Sequence, residues 1–324
     1  MPIHSVGYRS WDGRLVPEAT RWGMIASTGI RRTARSKWLR RMMFFAILPT
    51  VLMAIPFFVF EQALRDPDAA RELSRMIRGM PQGRIFLDTI PRGLAFASPE
   101  QIELLRHKVW SYLLLTLFRY PQAVLMVLVI GIVAPPLISQ DVRSRAFMVY
   151  FSRPIVRAEY VLGKFGTVAF FLLMITTFPA LVLYAFGVLL SPSLTVVGST
   201  WDLPLLILLA SAVLILPTTS ISLMFSSLTR ETRYAGFAWF AVWILGWVMF
   251  NVMMALAGAV AGDFIEPGWR VLLSPYHTLG VVQSWVFGLQ TDDAVVGRAL
   301  TLLVAATIVP LTIVYRRVGA PLRA

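Results

Sequence analysis

Six long apolar runs constrain this chain more than any other feature of its sequence. They fall at roughly Met42–Phe60, Pro121–Ser139, Phe165–Leu190, Leu203–Leu228, Ala235–Ala261 and Ala299–Tyr315. About 20 apolar residues in helical form cross the roughly 30 Å hydrocarbon layer of a bilayer. In lipid the backbone must satisfy its own hydrogen bonds, and a continuous apolar run does so only as a helix. No Asp, Glu, Lys, Arg or His lies within any of the six runs. The chain is 57% hydrophobic and 15% charged, where soluble domains average about 25% charged. The expected fold class is an all-α membrane protein with six transmembrane helices. Pro49, Pro56, Pro179, Pro217 and Pro310 fall inside these runs, as membrane helices allow when neighbours satisfy the freed carbonyls.

Lysine and arginine placement sets the orientation. Nine lie before the first run, up to Arg41. Five lie between residues 139 and 164, two at Arg230 and Arg233, and three in the tail after Tyr315. The alternate loops hold eight between 61 and 109, none between 191 and 202, and Arg270 and Arg298. The bias puts both termini in the cytoplasm of a cell-membrane protein. The formal charge of +13 then reflects basic loops beside anionic lipid rather than a nucleic-acid partner. The first run starts near Met42 without a small-residue cleavage pattern, and reads as a retained span rather than a signal peptide. There is no cysteine, which removes disulfide and thiol chemistry.

The loops carry patterns of their own. Trp22, Ile25, Ala26, Ile30, Ala34 and Trp38 recur at three- and four-residue steps, with Arg21, Arg31, Arg32 and Arg35 largely off that face. Such a basic amphipathic helix lies in the headgroup layer; the alternative is a solvated basic leader. In the 61–109 loop, Asp66-Pro67 starts one helix through Arg78, and Ser98 to Gln101 has capping-box spacing for a second. That second helix reaches Phe118, and Tyr120-Pro121 bends it into the next span. Between 262 and 298, Trp269–Leu273 and Leu279–Leu289 are apolar but too short to cross. They read as a helical hairpin that either dips into the outer leaflet or lies on it.

Much chemistry is missing. The only Gly-Lys pair is Gly163-Lys164, with Ala158 where a phosphate-cradling loop needs its first glycine and Phe165 where it needs Ser or Thr. This chain is not expected to hydrolyse ATP. His4, His107 and His277 are far apart, which argues against metal or Ser–His chemistry; His277 reads as an outer-surface residue. Ionisable groups at membrane depth mark most proton-coupled carriers, and the runs have none. Their polar groups include Thr176, Thr177, Thr218, Thr219 and Asn251, weak candidates for a substrate pathway.

The insert "LISQDVRSRAFMVYFSRPIVRAEYVLGKF", from Leu137 to Phe165, is compact and charged. A helix continues through Val142 to Tyr150, with Asp141 and Arg145 at i,i+4 spacing. Ser152-Arg153-Pro154 ends it and caps a second short helix that runs through Arg157 and Glu159 to Gly163-Lys164. The stretch resembles the cytoplasmic loop between spans two and three of exporter-type ABC permeases, the six-span membrane subunits of the second ABC export class. The matching positions are Asp141, Arg143, Ser152, Arg153, Pro154, Arg157, Glu159, Gly163 and Lys164, with Arg145 among them in the same charged segment. The length of the 61–109 loop resembles the branch that includes permeases of copper-enzyme maturation. The resemblance implies that the insert is a coupling helix seated in a separate ABC ATPase, which holds ATP and Mg. It implies two ATPase copies and a second permease chain, identical or not. This chain would bind no cofactor and no metal. A secondary carrier or channel, and a non-transporting membrane scaffold, are the competing functions. Flux without any ATPase, or no flux at all, would distinguish them.

Overall fold

The computed structural model describes residues 17, 20–66, 68–69, 71, 98–146, 155–191, 195–261, 268–290 and 292–319. Every regular element among them is helical. Six helices are long and apolar enough to cross a membrane: Lys37–Ala63, Pro99–Arg143, Arg157–Leu190, Val196–Leu228, Thr232–Gly258 and Asp293–Val318. They are called the first to sixth spans below.

The spans extend beyond the apolar runs because polar ends continue the helices. The first is interrupted at Ala46-Ile47 and restarts at Leu48 with Pro49 in its first turn, where a missing N–H costs nothing. The second is 45 residues long, or about 68 Å at 1.5 Å per residue, more than twice the hydrocarbon layer. It begins at the Ser98–Gln101 capping box: the Gln101 N–H donates to the Ser98 hydroxyl at 3.3 Å, and the Ser98 N–H donates to Gln101 Oε1 at 3.0 Å. The Val109–Phe118 stretch is part of this continuous helix. At Tyr120-Pro121 the helix widens into a π-turn, Phe118–Gln122. The third span has a matching π-turn at Leu173–Thr177, just before Pro179. The two turns touch, and Gln122 Nε2 donates to the Thr176 carbonyl at 3.1 Å. A side chain of one proline-adjacent bulge therefore satisfies a carbonyl of the other.

The buried side chains form two clusters stacked along the bundle. One, near the 139–164 insert, gathers Met126, Ile138, Tyr160, Phe171, Trp239 and Val314. The other, near the 61–109 loop, gathers Phe57, Trp110, Leu114, Phe118, Leu183 and Phe287. The fifth span contributes Trp239 and Trp243 to the first cluster. It leaves Phe237, Leu245, Trp247, Met249 and Leu256 exposed.

The 262–298 region, described from Gly268, is a 3-10 turn, Gly268–Leu273, followed by a helix, Pro275–Val286. It is not laid on the surface. Gln283 Nε2 donates to the Ala210 carbonyl of the fourth span at 3.3 Å. A Cβ at Gly246, midway along the fifth span, would lie 2.7 Å from Pro275. The hairpin thus packs against the middle of the neighbouring helices. His277, expected on the outer surface, instead stacks on Phe250 with ring centroids 3.5 Å apart. Its packing was hidden because the pairing element lies one span away in sequence.

The leader helix spans Arg21–Ala34 and packs along the start of the third span. Gly163 makes this possible, because a Cβ there would meet Ile25 at 2.6 Å and the Trp22 carbonyl at 2.9 Å. Gly29 faces Thr167 equally closely. The first proposed helix of the 61–109 loop, Asp66 to Arg78, lies mostly outside the described residues.

Candidate functional site

The second span ends at Arg143, and the third begins at Arg157 with Val156 as its N-cap. The expected helix from Val142 to Tyr150 is interrupted by a turn at Ser144–Ala146, and residues 147–150 lie outside the described residues. The Ala146 N–H returns to the Asp141 carbonyl at 3.0 Å, and Arg145 adopts φ 53°, the left-handed conformation that closes many helix C-termini. Arginine there, rather than glycine, left no turn signal in the sequence. Ser152, Arg153 and Pro154 lie outside the described residues, as does the stop expected at them. The helix start belongs to Val156, whose N–H donates to Glu159 Oε2 at 3.0 Å. An acid in the first turn also favours the helix dipole. Arg157, Glu159, Gly163 and Lys164 sit on this one helix, continuous with the third span.

Asp141 does not pair with Arg145. It is buried, and its Oδ2 takes Lys164 Nζ at 2.6 Å and the Tyr160 hydroxyl at 2.7 Å. The Asp141 and Lys164 side chains are 7% and 10% exposed. A buried charge pair is tolerated only when its geometry is good and its remaining valences are satisfied; the tyrosine supplies the second bond here. This triad ties the end of the second span to the start of the third, on the bundle side of the insert. Arg143, outside it, lies 3.9 Å from Glu231 in the loop between the fourth and fifth spans.

The end of the second span is also clamped by the fourth. Pro135 and Pro136 remove two backbone donors within it. Ser226 donates to the Pro135 carbonyl at 2.7 Å and receives the N–H groups of Ile138 and Ser139 at 3.0 and 3.1 Å. Trp239 of the fifth span donates to the Val127 carbonyl at 2.9 Å. The insert thus follows a helix held by three neighbours.

The threonines singled out as pathway candidates are packed. Thr176 and Thr218 donate to carbonyls one turn back, at 2.8 and 2.6 Å. Thr177 and Thr219 are buried with hydroxyls that find no partner among the described residues. Asn251 is exposed on the fifth span and donates to the Trp247 carbonyl at 2.8 Å. Thr218 alone reaches an apolar cleft of about 440 Å³, which Trp239, Trp243, Leu279 and Leu303 also line.

Two ionic features went unread in the sequence. Glu61 and Arg106 form a buried pair near the opposite end of the bundle, with Arg106 Nε 3.0 Å from Glu61 Oε1 and Nη2 3.3 Å from Oε2. Trp110 Nε1 donates to the same carboxylate at 3.2 Å. Glu61 directly follows the first apolar run, and that position was the only signal. Arg119, just ahead of the second apolar run, donates to the Tyr276 carbonyl at 2.6 Å and lies 4.1 Å from the Tyr276 ring centroid. It anchors the hairpin to the π-turn of the second span. No cluster of His, Cys, Asp and Glu among the described residues could hold a metal.

A comparison with curated proteins finds no match. Residues 24–319, nearly the whole chain, match the family described as ABC-2 family transporter protein. The match takes in the leader helix, all six spans, the insert and the hairpin, and the chain therefore belongs to the ABC-2 transporter family.

Proposed function

We propose that this multi-pass membrane protein is the permease subunit of an ATP-driven exporter, and that residues 139–164 couple it to a separate ABC ATPase. The observation that carries the reading is the buried Asp141–Lys164–Tyr160 triad. It joins both arms of the insert inside the bundle, so a push on the insert moves the second and third spans together. Arg143 and Arg157 at the arms, and Arg153 between them, supply planar donors suited to carboxylates on a partner. ATP and Mg belong to the ATPase, of which two copies serve two permease chains. The exposed aromatic and aliphatic side chains of the fifth span fit a surface covered by the second permease chain or by lipid. The insert, the leader and both termini then face the cytoplasm across the cell membrane, and transport runs outward. Kinship with permeases of copper-enzyme maturation belongs to the same proposal and rests on the long 61–109 loop.

The test is capture. A tagged chain purified from its own membranes should retain a Walker-motif ATPase, recognised by peptide mass spectrometry. Arg153→Glu with Arg157→Glu should lower that retention at least about tenfold, the equivalent of one charge-assisted hydrogen bond. Glu100→Arg on the opposite side should leave it unchanged. Equal retention in all three would remove the coupling assignment.

A further inference from the structure

The leader helix touches the third span closely but stands off from the second. Between leader and second span lies a cleft of about 430 Å³, a volume typical of small-ligand sites. Its lining is mixed in character. Ile132, Pro136 and Leu137 of the second span make an apolar wall, joined by Met24 and Ile25 of the leader. Arg32, Lys164, Thr28, Thr33 and Gln140 supply polar groups to the same cleft. Arg32 Nη2 donates to Gln140 Oε1 at 2.8 Å, and a guanidinium has five donors in all. Lys164 spends one donor on Asp141, and an ammonium has three. Two cations therefore meet one carboxylate among the described residues of this site, and that carboxylate is buried beneath it. Arg31, Arg35 and Lys37 add positive charge nearby.

We propose that this cleft binds one anionic phospholipid of the leaflet in which the leader helix lies. Its phosphate sits between Arg32 and Lys164, and an acyl chain runs along Ile132, Pro136 and Leu137. The anionic head is required by the charge excess, and the apolar wall beside it requires a tail. A free phosphate would use the first feature and waste the second. General attraction of basic loops to anionic lipid needs neither a cleft nor a fixed count. The proposed site needs both, and it does not depend on transport, its direction or any partner. A lipid here wedges the leader against the second span beside the Asp141–Lys164 pair.

The experiment is native mass spectrometry of the purified chain in neutral detergent, titrated with phosphatidylglycerol, phosphatidylcholine or inorganic phosphate. One phosphatidylglycerol per chain should be retained saturably, with phosphatidylcholine held at least about tenfold more weakly, because its choline sets a further cation beside Arg32 and Lys164. Arg32→Gln should weaken phosphatidylglycerol by a similar factor. Thr28→Trp, which fills the cleft without changing charge, should do the same. Both positions are exposed, so folding is not at stake. Arg316→Gln with Arg317→Gln removes two exposed cations outside the cleft and should leave retention unchanged. Equal losses in the Arg316/Arg317 and Arg32 variants would reduce the effect to bulk charge and overturn the proposal. Saturable binding of inorganic phosphate, with no gain from a lipid tail, would overturn the lipid assignment.

Discussion

The bundle buries an ion pair near each end, and the two are built for different ends. Glu61–Arg106 is a two-pronged pair sealed further by Trp110, with the acid 1% and the arginine 7% exposed. Its members come from the first and second spans, and nothing among the described residues gives it a route to solvent or to a partner. Asp141–Lys164 is a single contact with one tyrosine behind it. It borders the proposed lipid cleft and sits at the base of the insert. The first arrangement locks helices at a fixed separation. The second has fewer bonds and an adjacent opening, and it ties the base of the insert to the third span.

The largest effect should come from breaking the locked pair. Arg106→Met leaves Glu61 buried without its cation, a situation that costs about 3–5 kcal/mol in proteins generally. Thermal unfolding in detergent should fall sharply. Glu61→Gln with Arg106→Met removes both charges and keeps an acceptor for Trp110, and should recover more than half of the loss. A single variant as stable as the parent would mean that the 61–109 end is not locked by charge at all.

Asp141→Asn should be milder in stability and harsher in function. The amide oxygen still accepts from Tyr160 or Lys164, and Lys164 can turn toward the cleft. The expected loss is about 1–3 kcal/mol, that of an imperfectly satisfied buried polar group. The hydrolysis rate of captured ATPase, measured per captured molecule, should change more than the unfolding temperature does. If stability falls as far as in Arg106→Met while hydrolysis is untouched, the two pairs are equivalent locks and the contrast between them fails.

How much of this was readable beforehand follows the range of each interaction. The spans were legible because about 20 apolar residues in a row announce themselves, and the Ser98–Gln101 cap because its partners lie three residues apart. The hairpin's short helices were visible from Pro275 and Gly268. What packs them was not, since Arg119 and Gly280 meet across the whole middle of the chain. Asp141 and Lys164 were both singled out, yet Asp141 was paired with its helical neighbour Arg145. Local spacing cannot weigh a partner 23 positions away against one four away. Arg145 at positive φ gave no warning because arginine is not a usual helix terminator. Asn251 is exposed on the fifth span while the four pathway threonines are buried, a difference that polar character alone does not encode.

The smallest expected effect on stability separates surface charge from buried charge at the insert end. Arg143 and Glu231 lie 3.9 Å apart with side chains 70% and 44% exposed. Exposed pairs of this kind contribute about 0–1 kcal/mol, so Glu231→Gln should barely move the unfolding temperature. Its consequence for capture has the opposite sign to that of Arg143→Gln. Removing the acid frees the Arg143 guanidinium for a partner's carboxylate, whereas removing the arginine withdraws that donor. ATPase retention should therefore rise slightly in Glu231→Gln and fall in Arg143→Gln, and both differences should shrink at high salt, where charges near the surface are screened within about 3 Å at 1 M. Retention that moves in the same direction in both variants would place Arg143 outside the docking surface. The buried Asp141–Lys164 joint would then be served by Arg153 and Arg157 alone.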